Sequence, residues 1–209
     1  MKVLNLYSGI GGNRKLWLNV NVTAVELEKN IAEVYQDLYP NDNVIVGDAH
    51  EYLLNHYKEF DFIWTSPPCP THSRARFWGS HRDDTQEVYP DMRLWQEIIF
   101  LKHFASALWV VENVQPYYEP LIQGKNIGRH YFWTNFWLPN YETKTEEFPK
   151  DSVIKLQELH GIDLTKYKNI PKQKCLRNCV LPEVGLRVFN CAVGAIPPIQ
   201  EGLFADNAS

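Results

Sequence analysis

Short apolar runs alternate with longer segments of helical spacing along most of this chain. Lys2 to Tyr7 alternates polar and apolar positions as a strand does, and a glycine turn from Ser8 to Gly12 follows at once. Asn13 to Asn19 is expected to begin a helix. Val20 to Val25 predicts a second strand ending at Glu26. Glu28 to Leu38 then sets Ile31, Val34, Tyr35 and Leu38 at helical spacing, and Pro40 stops it. Val44 to Val46 is a short third strand ending at Gly47-Asp48, Ala49 to Tyr57 a helix, and Phe60 to Trp64 a buried fourth strand. Asp91 to Ala107 predicts a long helix, with Leu94, Trp95, Ile98, Leu101 and Phe104 on its spacing. Leu108 to Val111 is a fully apolar fifth strand, stopped by Glu112. His130 to Phe136 predicts a sixth strand and Val153 to His160 a short helix. Tyr167 to Lys174 looks like loop, and Arg177 to Val184 opens a final helix despite Pro182. Strands alternating with helices predict an α/β fold: a mostly parallel sheet with helices on both faces.

The stretch Thr65 to Arg76 organises the rest. Pro67 and Pro68 cannot donate to a ladder, so the chain leaves the fourth strand in a stiff turn with Cys69 at its tip. A lone Cys is most often a core residue. Here the neighbours are three prolines, then Thr71, His72, Ser73, Arg74 and Arg76, which is no core run. The nearby cations would favour the thiolate, the nucleophilic form. Glu112 follows a neighbouring buried strand, so it and Cys69 are expected to face one cleft. A buried carboxyl holds its proton better and can donate it.

The glycine turn between a strand and a helix suggests a nucleotide-type pocket, with backbone N–H groups free at the helix start. Its spacing is not GxGxxG, so a dinucleotide site is not the best match. Glu26 and Asp48 stand at the tips of the next two strands, placed to accept from ribose hydroxyls and from an adenine amino group.

The 209 residues suffice for one domain with a real core. Hydrophobic residues at 44% and charged ones at 22% fit a soluble globular protein, and no apolar run reaches membrane length. Four Cys and an N-terminus without a signal peptide suggest reduced thiols in a cytoplasm. Cys175 and Cys179 have no convincing His partners, so a zinc site is rejected. A net charge of −4 argues against coating nucleic acid through bulk charge. Two local basic clusters remain, each a candidate phosphate contact or a solvated face. One is Arg74, Arg76, His81, Arg82 and Arg93; the other is Lys166, Lys168, Lys172, Lys174 and Arg177.

In this order the motifs resemble the DNA cytosine-5 methyltransferase family over most of the chain. LYSGIGG is similar to the family's cofactor loop, with Tyr7, Ser8, Gly9, Gly11 and Gly12 in it. Glu26 and Asp48 resemble its adenosine acids, SPPC its catalytic loop, and ENV at 112–114 its Glu-Asn-Val motif. GRHYFWTNF resembles the motif after the active site, and RNCVLPEV the C-terminal motif that returns to the cofactor pocket. The resemblance implies a Rossmann-like S-adenosylmethionine-dependent methyltransferase fold. It also implies a core over 1–136, a reduced target-recognition segment over 137–176, and a C-terminal segment over 177–209 returning to the core. It departs in two places. Gly128 and His130 stand where the family has alternating arginines, with Arg129 as a possible substitute. The recognition segment is also too short to be a full domain, so the sequence reader is expected to be minimal, supplied by a partner protein or oligomer, or nearly absent.

The activity this implies is methyl transfer from S-adenosylmethionine to C5 of a flipped cytosine in DNA. Cys69 would add to C6, and Glu112 would protonate or hydrogen-bond N3. Asn178 would support the cofactor or the Cys loop, and Arg74, Arg76, Arg129, Lys172 and Lys174 would meet the nucleic acid. Other readings stay open: the same chemistry on RNA or a free nucleotide, methylation of an exocyclic amine, or a non-catalytic binding module. Amine methylases carry an aromatic residue in place of Cys69, and the intact Cys and Glu argue against the module.

Overall fold

The computed structural model describes residues 1–79, 86–140 and 152–196. Seven strands form one sheet: β1 (Lys2–Leu6), β2 (Asn21–Glu26), β3 (Asn43–Val46), β4 (Phe62–Thr65), β5 (Leu108–Val114), β6 (Lys125–Ile127) and β7 (His130–Thr134). Their spatial order is β3-β2-β1-β4-β5-β7-β6. β1 to β5 run parallel, while β7 is antiparallel to both β5 and β6. The order reverses between β1 and β4. The carboxyl ends of those two strands therefore open the crevice in which such sheets hold ligands.

Period-two alternation divides the core between the two faces. Val3, Phe62, Trp64, Val110 and Phe132 pack with Trp17 and with Val184, Val188 and Phe189 of α7 (Pro182–Ala192). The other face carries Leu4, Leu6, Ile63, Trp109 and Val111. These pack against Leu53 of α2 (Ala49–His56) and against Leu94, Trp95, Ile98 and Leu101 of α4 (Arg93–Phe104). A third cluster joins Ile10 of the glycine turn to Val34 of α1 (Lys29–Leu38), Leu156 of α5 (Val153–His160), and Cys175 and Leu176 of α6 (Lys172–Asn178). A short exposed helix, α3 (Arg74–Gly79), follows the Cys69 turn.

Five sequence expectations are corrected. No helix forms over 13–19. Successive i+3 turns lead instead to Trp17, whose ring is buried between Phe62, Trp64 and Phe189. β5 does not stop at Val111 but continues through Glu112, Asn113 and Val114, because β7 pairs with those three residues. The strand β6 was not foreseen, and the strand expected over 130–136 ends at Thr134. Lys172 to Lys174 open α6 and are not loop. The last helix starts at Pro182 itself, where a missing N–H costs nothing.

Residues 152–176, the described part of the expected recognition segment beyond Asn140, supply buried side chains to the third cluster, while about half of their positions stay exposed. Leu156, Ile162, Leu164, Cys175 and Leu176 are buried against Ile10 and Val34. No described helix is long and apolar enough to cross a membrane.

Candidate active site

The glycine turn leaves β1 through three left-handed residues, Tyr7 at φ +53°, Gly9 at φ +52° and Gly11 at φ +77°. A β-carbon on Gly9 would meet nothing within 4 Å, so its backbone faces open space. Gly11 and Gly12 face protein. A β-carbon on Gly11 would lie 2.4 Å from the Tyr39 ring, and one on Gly12 would lie 2.7 Å from the Val180 carbonyl. The Tyr39 hydroxyl also donates to the Gly11 carbonyl at 2.7 Å. The open Gly9 peptide is thus held from behind.

Glu26 ends β2. Its Oε2 accepts from the Gly9 N–H at 2.9 Å and its Oε1 from the Glu28 N–H at 3.0 Å. Asp48 caps α2, its Oδ1 accepting from the His50 and Glu51 N–H groups, while its Oδ2 lies 3.4 Å from Arg93. Ser8 Oγ is buried and has no hydrogen-bond partner among the described residues. An unsatisfied buried hydroxyl beside an open glycine peptide and a carboxylate suits a polar ligand. The adenosyl group of S-adenosylmethionine fits these donors and acceptors.

Beneath this pocket Glu97 of α4 is almost wholly buried. Its Oε1 accepts from the Tyr7 hydroxyl at 2.5 Å and pairs with His50 Nδ1 at 2.9 Å; its Oε2 accepts from Thr65 Oγ1 at 2.6 Å. One carboxylate thus joins the ends of β1 and β4 to α2 and α4. Burial, and then Glu97, push the Tyr7 phenol far up, and the bond to Glu97 raises the His50 pKa. The sequence gives little sign of this hub, because Glu97 lies within a helix whose other marked positions are apolar.

Cys69 lies beyond the end of β4 and is half-buried. Asn113 reaches across from β5 and donates to the Pro67 carbonyl at 2.9 Å, holding the proline turn. Burial and then the charge of Glu112 push the Cys69 thiol up to about 11, against the opposing cations Arg129 and Lys174. The sequence expectation of a favoured thiolate is therefore reversed in the resting protein. Arg74 and Arg76 sit on exposed α3, where they do not offset the burial.

Glu112 is 5% exposed and points toward His130 of β7, with Oε1 2.5 Å from His130 Nδ1. Arg129 Nε donates to His130 Nε2 at 3.1 Å, and its Nη2 donates to the carbonyls of Arg177 and Cys179. Arg129 is therefore tied into the site through His130 and the end of α6. Lys174 adds a charge felt by Cys69. Lys172 donates to the Thr165 carbonyl, and Lys166 pairs with Asp37 at 2.6 Å. Asn178 is exposed at the end of α6. The residues that meet the glycine turn are the next two, Cys179 and Val180. His81 and Arg82 lie outside the described residues. No group of metal-ligating side chains occurs among the described residues. A cleft lined by Trp109, Trp133 and Trp137 sits at the amino end of β5, away from Glu112.

A family profile for C-5 cytosine-specific DNA methylases matches residues 1–119, which contain the glycine turn, Cys69 and Glu112. The chain belongs to that family. A curated relative, the type II methyltransferase M1.HgaI of Avibacterium volantium, is 27% identical over 123 residues. The match takes in 53% of this chain and 34% of that protein, so the chain spans about a third of its relative's length. Among solved structures, the Entamoeba histolytica methyltransferase EhMeth superposes with a TM-score of 0.58 at 11% identity. The superposition covers 93% of this chain and 98% of that one. That likeness places the sheet in the Rossmann-like methyltransferase fold.

Proposed function

We propose that this protein methylates C5 of cytosine in DNA, using S-adenosylmethionine and a covalent Cys69–C6 adduct. The observation that carries the reading is a half-buried thiol past the end of β4 and a buried carboxyl on the adjacent strand β5, near enough for the charge of Glu112 to act on Cys69, beside the glycine turn. Tyr7, Ser8, Gly9 and Glu26 would hold the adenosyl group, with Gly11 and Gly12 bracing the turn and Asp48 and Asn178 at its margins. When bound, S-adenosylmethionine supplies an electrophilic methyl group.

The pyrimidine enters out of the base stack. Cys69 gives its proton to water, and the thiolate adds to C6. Glu112 hydrogen-bonds or protonates N3, where the electron pair displaced from the ring accumulates, and C5 becomes enamine-like. Once C5 carries the new methyl, its proton leaves to water. The C6–S bond then breaks, Cys69 departs as thiolate, and N3 returns any proton to Glu112. Arg74, Arg76, Lys172 and Lys174 are the proposed phosphate contacts. Because the recognition segment is short, sequence recognition would come from a partner protein or a second copy.

Tritium transfer from labelled S-adenosylmethionine to DNA tests the reading, with bisulfite sequencing to locate the product. Label on C5 of cytosine is expected from the wild type and none from Cys69→Ser. Retained transfer in Cys69→Ser, or label on an exocyclic amine, would sink it.

A further inference from the structure

Gly128 and His130 stand where the family has arginines, and the structure gives His130 a defined proton. Arg129 Nε always carries hydrogen, and it lies 3.1 Å from His130 Nε2. Two N–H groups cannot face one another at that distance, so Nε2 presents a lone pair. The single ring hydrogen is then on Nδ1, 2.5 Å from Glu112 Oε1, and His130 donates to the carboxyl.

We propose that Arg129 and His130 form a positioning pair for Glu112. Arg129 selects the neutral Nδ1–H tautomer, His130 makes Oε1 a fixed acceptor, and Oε2 is left as the oxygen that meets the pyrimidine N3. The role toward the pyrimidine rests on the function proposed above; the tautomer does not.

Two observations support the pair. His130 and Glu112 are both nearly buried, at 6% and 5% exposure, so water is a poor substitute for either partner. Arg129 is itself held, since its Nη2 donates to the carbonyls of Arg177 and Cys179 at the end of α6, where a helix favours a cation. A guanidinium at position 130 would bring a full charge to the carboxyl. A neutral imidazole brings a directed hydrogen bond without a full charge.

Long-range proton–nitrogen NMR of the full chain reads the tautomer directly. We expect a protonated-type Nδ1 and a pyridine-type Nε2 for His130 in the wild type, and a shift toward Nε2–H in Arg129→Ala. A wild-type His130 that is Nε2–H, or doubly protonated at neutral pH, overturns the proposal. A second measurement follows adduct formation with DNA containing 5-fluorocytosine at saturating methyl donor. In His130→Asn the amide nitrogen takes the place of Nδ1, so the rate should stay within about threefold of wild type. In His130→Gln the amide takes the place of Nε2, so the rate should fall about 10- to 100-fold with KM for the donor unchanged. Equal losses in the two variants count against the pair. A wild-type protein that forms no adduct yet shows the Nδ1–H tautomer sinks the methyltransferase reading and the role at N3, but not the geometry that selects the proton.

Discussion

The two halves of the crevice are built differently. On the β1–β2–β3 side the pocket is mostly backbone: an open glycine face, three left-handed residues and strand-end carboxylates, braced by Tyr39 from behind and by Glu97 from below. On the β4–β5–β7 side it is mostly side chain. Asn113 holds the proline turn, His130 holds Glu112, and Arg129 ties both to the end of α6. The first half offers a ligand main-chain groups and strand-tip acids, whereas the second presents a thiol and a carboxyl that other side chains hold in place. Ligand binding and bond-making should therefore fail separately under mutation.

The sharpest test of that separation is Cys69→Ser. Methyl transfer should fall by about 10⁴-fold or more, while binding of S-adenosylmethionine, measured by calorimetry, changes little. Next in size is Glu97→Ala, which strands the Tyr7 and Thr65 hydroxyls and His50 together. Urea denaturation should show a loss of about 3 kcal/mol, with weaker donor binding, and an unchanged midpoint would mean that the hub does not brace the fold. Asn113→Ala should cost roughly 5- to 30-fold in kcat with donor affinity preserved. A loss confined to donor affinity would erase the distinction between the halves. Glu26→Gln should do the opposite, weakening donor binding about fivefold with little change in the rate at saturation. The smallest signal is chemical. Because burial and Glu112 push the Cys69 thiol up to about 11, its alkylation by iodoacetamide should climb with pH from 7 toward that value. Mass spectrometry against Cys69→Ser isolates the site, and a plateau near pH 8 would show that the cations outweigh burial.

The same division explains what could be read from the sequence. The strand, the glycine turn and the strand-tip acids are local patterns, and so is the Pro-Pro-Cys turn. The extension of β5 through Glu112 was not legible, because it depends on pairing with β7, and no pattern in residues 108–114 announces an antiparallel neighbour. The missing helix after Gly12 follows from Trp17, whose burial among three distant aromatic rings outweighs local propensity. Glu97 was invisible for the opposite reason: a single acid in an amphipathic helix looks like a solvated position until its three partners converge on it. Cys179 could have been suspected from its place between Arg177 and Pro182, but only the fold brings its sulfur against Gly12.

Glu112 sits inside a strand paired along its length, whereas Cys69 sits past the end of one. A pyrimidine bound as proposed would therefore face one wall fixed by the sheet and one fixed by prolines and a single bond from Asn113. Cutting that bond should displace the sulfur while the acid keeps its place.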